Sequence, residues 1–341
     1  VQNVMTKTPD STEFDTALHA EETASGPLAI EARALVKRFD GTLAVDGVDI
    51  SVPAGSIFGI LGPNGAGKTT TLRMLLGIID PDSGTRRVLG SENPHAIAHR
   101  IGYLPEERGL YPAMKAVDAI AFVGALRGMP RKQGRERGRE LLEEHGFGYI
   151  ADRQIRQMSK GQAQTVQLLA TLVHSPDLVV LDEPFSGLDA ISQGRLEKMI
   201  RRLAENGTTV IFSTHVLAHA ERLCERIAII AGGKVPFHGL VATARDRLPP
   251  QVHLETRHIE GPWRDALPPG TEPQLKRGGG ALFDFSLTGQ VEPLLTALIE
   301  GGAGIETLSI ERAGLHDAFV AIAGEAAARA LDEETGGGAA R

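Results

Sequence analysis

Residues 57–76 read Ile57-Phe58-Gly59-Ile60-Leu61-Gly62-Pro63-Asn64-Gly65-Ala66-Gly67-Lys68-Thr69-Thr70-Thr71-Leu72-Arg73-Met74-Leu75-Leu76. An apolar run with the character of a buried strand leads into a glycine-rich loop, and helical periodicity follows. The loop has the form G-x-x-x-x-G-K-[ST]. Across Gly62, Asn64, Gly65, Ala66 and Gly67, successive backbone N–H groups can curl around phosphate oxygens without interference from Cβ atoms. The following helix adds the partial positive charge of its N-terminus. Lys68 supplies a mobile point charge for the terminal phosphates of a nucleotide, Thr69 a hydroxyl suited to a hard Mg²⁺ ion, and Thr70 completes the phosphate-binding set.

Downstream, Met158-Ser159-Lys160-Gly161-Gln162 precedes the apolar strand Leu178-Val179-Val180-Leu181, which runs into Asp182-Glu183-Pro184. Asp182, at the strand end, is placed to hold the same ion as Thr69. An Asp-Glu pair after a strand also has a plain structural reading as a helix N-cap. A Ser-x-Gly-Gln run shortly before a strand ending Asp-Glu, both behind a phosphate loop, resembles the ATP-binding cassette (ABC) ATPases.

That resemblance implies an α/β fold, with a parallel-sheet core, a helical subdomain at about 113–165 and ATP with Mg²⁺ as cofactors. It implies that Lys68, Glu183 and His215 are catalytic: Glu183 is the general base that polarises the attacking water, and His215, in Ser213-Thr214-His215, is the switch that contacts the γ-phosphate. Ser159, Gly161 and Gln162 would close over ATP held by the opposite subunit, and Asp189, in Ser186-Gly187-Leu188-Asp189, lies in the loop through which two subunits sense each other. Phe39 falls where the family stacks an aromatic ring on adenine; the other reading is a phenylalanine packed at a strand end. Because every element is complete in one chain, a head-to-tail homodimer with two ATP sites is expected.

Two positions depart from the family pattern. Glu106-Glu107 follows Gly102-Tyr103-Leu104-Pro105 where glutamine is commonest, and Lys160 stands where glycine is commonest. Glu106 retains an oxygen for Mg²⁺ and joins Thr69 and Asp182 in the expected metal set. The run Leu104-Pro105-Glu106-Glu107-Arg108-Gly109-Leu110-Tyr111-Pro112 with Ser159-Lys160-Gly161 is similar to a branch of bacterial sodium-efflux and drug-efflux subunits that carries a small C-terminal accessory domain. Leu315-His316-Asp317-Ala318-Phe319 resembles the end of that domain.

The 341 residues, 42% hydrophobic, suffice for more than one domain. Residues 1–26 read as a flexible acidic leader rather than a signal peptide, 27–247 as the nucleotide-binding domain, 251–324 as a small α+β accessory domain and 325–341 as a flexible tail with one short helix. The boundary is marked by Arg247-Leu248-Pro249-Pro250, and the accessory segment carries no phosphate loop or titratable cluster. It is expected to serve assembly or regulation, so that its loss leaves ATP binding intact. Val117 to Ile150 reads as mostly helical but interrupted by the basic run Arg131–Arg139, whose interleaved Glu136 marks a solvated face. Cys224, the single cysteine, excludes an internal disulfide and reads as a small buried hydrophobe.

A net charge of −7 disfavours nucleic acid as a partner. The longest apolar runs fall far below the roughly 20 residues needed to cross a bilayer, so the chain reads as soluble or peripheral, and the resemblance implies a peripheral place at the cytoplasmic face of the cell membrane. The resemblance implies an exporter ATPase that drives a separately encoded integral-membrane permease by ATP-dependent dimer closure. One alternative is a soluble ABC protein acting on the ribosome or DNA. Such relatives carry two cassettes or a long coiled-coil insertion, whereas Lys68 and Ser159 are close in sequence with no sustained heptads between them. The other alternative is an importer ATPase with a regulatory C-terminal domain.

Overall fold

A computed structural model describes residues 26–107, 109–276 and 279–336. The expected leader up to residue 25, Arg108 of the Leu104–Pro112 run, Gly278 of a glycine turn and the tail beyond residue 336 lie outside the described residues. The chain forms two compact units. One holds the residues up to Ile57 together with Thr69–Phe212; the other holds Phe58–Lys68 and the chain from Ser213 onward.

In the first unit, Thr42–Pro53, Leu28–Phe39 and Ser83–Val88 lie side by side in that order as an antiparallel sheet. The first two are each twelve residues long, well beyond the short apolar stretches Ala29–Ala32 and Val48–Val52 within them. Ser83–Val88 was missed altogether: it carries Arg86 and Arg87, and only Val88 is buried, as suits an edge strand. The parallel strands are Ile101–Leu104 beside Leu178–Asp182, with Thr209–Thr214 next in order. Every residue of the last two is buried, which is why they read as unbroken apolar runs rather than alternating ones.

The helical part of this unit comprises Ala116–Leu126, Arg131–Glu144 and Lys160–Leu172. The basic run is no interruption: Arg131–Glu144 is one helix, and the break falls before it. Its buried side is made of Gly134, Gly138, Leu141 and Leu142. A Cβ on Gly134 would stand 3.1 Å from Ala121 Cα, and one on Gly138 would stand 3.0 Å from Ile120 Cγ2. The helix thus meets Ala116–Leu126 almost backbone to backbone, and packing offsets the low helix propensity of glycine. Arg135 pairs with Asp118, Arg137 with Glu140 and Glu144, and Arg139 with Asp152 on the exposed side.

In the second unit, Ile57–Leu61 pairs in parallel with Arg226–Ala231, and Lys234–Leu240 closes that edge in the antiparallel sense. Beyond it, Gln274–Leu275, Ala281–Ser286, Gln251–Thr256 and Ile305–Glu311 form a four-stranded antiparallel sheet in that order. Alternation sends Val252, Leu254, Phe283 and Phe285 to one face, where Trp263 and Leu294 and Leu298 of helix Val291–Glu300 complete the core. Helix Leu315–Ala323 buries Leu315, Ala318 and Phe319 against helices Leu217–Leu223 and Val241–Arg245. Arg245 fastens this contact: its Nε donates to the Ala313 carbonyl at 2.8 Å, and its other end pairs with Glu221 at 3.4 Å. In the tail from residue 325, where one short helix was expected, a helix occupies Glu325–Gly336, and Ala328 and Leu331 supply an apolar side that is buried. Cys224 is buried, and burial pushes its thiol up, which keeps it protonated. Among the described residues, no helix is long and apolar enough to cross a membrane.

Candidate functional site

The strand Ile57–Leu61 delivers its chain straight into the phosphate loop. A side chain at Gly62 would stand 2.2 Å from the Ile230 carbonyl oxygen, so only glycine lets the loop leave its strand here. The buried Ala66 accepts a hydrogen bond from the Gly233 N–H at 3.0 Å, which fixes the far side of the turn. Asn64 and Gly65 are exposed, and Gly67, Thr69 and Thr70 are half-buried. Lys68 opens helix Lys68–Leu75; it is 5% exposed, and its Nζ donates to the carbonyls of Gly62 (2.7 Å) and Pro63 (3.2 Å), folding the charge back over the loop.

Thr69 Oγ1 donates to Asp182 Oδ1 at 3.1 Å, which joins the residue after the loop lysine to the end of strand Leu178–Asp182. A hydroxyl and a fully buried carboxylate form an oxygen pair whose chemistry fits Mg²⁺, an ion that takes one or two protein oxygens and fills the rest of its shell with water and phosphate. Glu183 follows, 6% exposed, with φ at +47°. A non-glycine residue in the left-handed region costs on the order of 1–3 kcal/mol and persists only where its surroundings impose it. The Ser186 N–H donates to its carbonyl at 3.2 Å, so Glu183 heads a tight turn and is not a helix cap.

Glu106 is exposed, in the loop after strand Ile101–Leu104. Burial pushes the nearby Tyr103 hydroxyl up; the charge of Asp182 and, more weakly, that of Glu106 push the same way, and Arg73 opposes them. Glu106 and Asp182 therefore act on one hydroxyl. His215 is half-buried just past strand Thr209–Thr214, where the Thr214 hydroxyl accepts from the Val216 N–H at 3.0 Å and turns the chain into helix Leu217–Leu223. Phe39 is 45% exposed at the end of its strand, with Lys37 Nζ 5.7 Å from the ring centre, so it is not a packed core side chain.

The signature residues have local work that the sequence reading missed. Ser159 is the N-cap of helix Lys160–Leu172: its hydroxyl accepts from the Gln162 N–H at 3.2 Å, while Gln162 Oε1 accepts from the Ser159 N–H at 3.0 Å. This reciprocal box is written in the spacing Ser-x-x-Gln and was legible there. Asp189 caps helix Ala190–Glu205 in the same way, accepting from the Ser192 N–H and hydroxyl, both at 2.9 Å. Those donors hold its carboxyl below the usual carboxylate range. Ser192 also faces Gly161, where an added Cβ would come within 2.6 Å of its Oγ. Gly161, Asp189 and Ser192 thus form one small polar cluster, with Ser192 the member the sequence did not flag.

The strand, loop and helix with a hydroxyl–carboxylate pair define a P-loop nucleotide-binding protein. Residues 45–186 match the ABC transporter family. The Daunorubicin/doxorubicin resistance ATP-binding protein DrrA of Streptomyces peucetius is 39% identical over 223 residues, covering 64% of this chain and 68% of that protein. Nod factor export ATP-binding protein I of Cupriavidus metallidurans is 32% identical over 302 residues, covering 86% of this chain and 97% of its own. Among solved structures, one titled as the ATP binding subunit of an ABC transporter superposes with a TM-score of 0.59 at 26% identity, over 64% of this chain and 92% of that one. The chain belongs to the ATP-binding subunits of ABC transporters. It binds ATP, and its ATPase activity is coupled to transport.

Proposed function

We propose that this chain powers an exporter: two copies close head to tail over two ATP molecules, and the closure drives a separately encoded integral-membrane permease from the cytoplasmic face. The observation that carries the export reading is the likeness, along 97% of its length, to a protein named for Nod factor export, joined by one named for drug resistance. In the proposed site, Lys68 and the backbone of Gly62–Gly67 hold the β- and γ-phosphates, Phe39 stacks on adenine, and Thr69 and Asp182, with Glu106 beside them, hold Mg²⁺. Bound there, the ion neutralises phosphate charge. Glu183 takes a proton from the attacking water, and His215 ties that carboxylate to the γ-phosphate. Ser159, Gly161 and Gln162 of one subunit close over the ATP of the other, at a helix N-terminus suited to an anion. Asp189 carries the state of one site to the other.

Residues 27–247 act in this reading as the nucleotide-binding domain, and 251–324 as an accessory unit for assembly or regulation. The test is purification of the tagged chain from detergent-solubilised membranes. An integral-membrane protein should co-purify in stoichiometric amount; recovery of ribosomes or DNA in its place would favour the soluble alternative. With the purified pair in vesicles, export predicts ATP-driven movement of cargo away from the face that carries this chain. Movement toward that face would mean an importer.

A further inference from the structure

We propose that Gln164 is a positioning residue for Glu183: from the signature helix, its side-chain amide pins the Pro184 carbonyl and so fixes the turn that presents the carboxylate. The inference rests on the reading of Glu183 as the general base.

Gln164 lies one turn inside helix Lys160–Leu172, is only 8% exposed, and donates from Nε2 to the Pro184 oxygen at 3.3 Å. A buried amide is costly without a partner, and this one spends a donor on the carbonyl of Pro184, the residue after Glu183. That turn needs holding. Glu183 sits at φ +47°, a conformation that L residues keep only when neighbours over-determine it, and the turn's own closing bond, Ser186 N–H to Glu183 carbonyl, is 3.2 Å long. The same helix face continues the pattern: Gln167, 6% exposed, reaches the Glu107 carbonyl with Nε2 at 3.4 Å. Two buried amides of one helix thus grip the backbone around the oxygen set, and Gln164 grips the segment next to the base. The helix begins at Ser159, so displacement of the signature end is passed to the Glu183 turn over about one helical turn.

The test uses the full chain and four variants: Gln164→Met, Gln164→Glu, Glu183→Gln and the double variant Gln164→Met with Glu183→Gln. Methionine keeps the length and burial but has no donor, and kcat should fall at least about tenfold, since small misplacements of a catalytic group cost up to ~10²-fold. The Kd for MgATP should stay within about twofold, because nucleotide contacts are untouched. A charged glutamate cannot donate to a carbonyl, but a protonated one can. The kcat of Gln164→Glu relative to wild type should therefore rise as pH is lowered, while the Gln164→Met ratio stays flat. In the Glu183→Gln background, Gln164→Met should cost little more.

A Gln164→Met kcat within twofold of wild type, a Kd weakened as much as kcat, or a flat pH ratio for Gln164→Glu would each overturn the proposal. If the methionine chain does not fold, the glutamate ratio decides alone. Should Glu183→Gln retain turnover, the reading of Glu183 as base fails; with Glu183 essential and Gln164 indifferent, only the positioning role falls.

Discussion

Glu183 joins a buried carboxylate to a backbone conformation that few side chains tolerate. The identity of the residue was plain from its place after Asp182, but its left-handed turn was not, because nothing in Asp-Glu-Pro names a φ angle. Replacing it by glutamine keeps shape and neighbours and removes the proton acceptor. Turnover should drop by about 10²–10⁴-fold, with nucleotide affinity retained, and the ATP-bound dimer should accumulate. Gel filtration with ATP and Mg²⁺ checks this: a variant that binds nucleotide yet stays monomeric would count against a shared site. Glu106 gives a second prediction. Exposed, yet acting with Asp182 on the Tyr103 hydroxyl, it is proposed to offer an oxygen to the metal. Glu106→Gln, which keeps an oxygen, should hold its Mg²⁺ dependence of turnover, and Glu106→Ala should need several-fold more Mg²⁺; identical Mg²⁺ titrations in all three proteins would remove Glu106 from the metal set.

At the scale of elements, the helices that start at Lys160 and Ala190 share a design: a polar residue before each is both its cap and a proposed contact across the dimer. The Asp189 cap should leave a trace in acid. The Ser192 donors depress its folded pKa, so its contribution is whole above the unfolded value of about 3.9 and is lost as pH falls through the lower folded one. The difference in thermal midpoint between wild type and Asp189→Asn should accordingly be constant at neutral pH and close below about pH 4; a gap that persists in acid would show that the carboxylate is not what stabilises the cap. Elements were legible where burial is uniform or strictly alternating, as in Leu178–Asp182, Thr209–Thr214 and Gln251–Thr256. They were illegible where partners decide: Ser83–Val88 has almost no apolar signal and exists because Leu28–Phe39 offers it a ladder. Arg131–Glu144 reads as a broken basic run until Gly134 and Gly138 are seen against a neighbouring helix.

For the whole molecule, the border proposed near Arg247 lies inside the second compact unit. Helix Leu315–Ala323 lies on the helix that follows His215, so truncation after Arg247 strips a buried face instead of removing a detachable module. Such a cut should therefore lower stability, while the chain that still folds keeps ATP binding. Phe319, fully buried, gives the graded version: Phe319→Ala should cost about 3–5 kcal/mol of stability, read from denaturant unfolding, and a loss under 1 kcal/mol would mean the helix is only loosely laid on. The division of the chain into units has one more consequence, for the order in which a ribosome makes it. Phe58–Lys68 emerges early, but Arg226–Ala231, the strand that pairs with its strand, and Gly233, which bonds Ala66, are made more than a hundred and fifty residues later. The phosphate-binding loop is therefore written before the strand and the glycine that brace it, so during synthesis it waits for its own support.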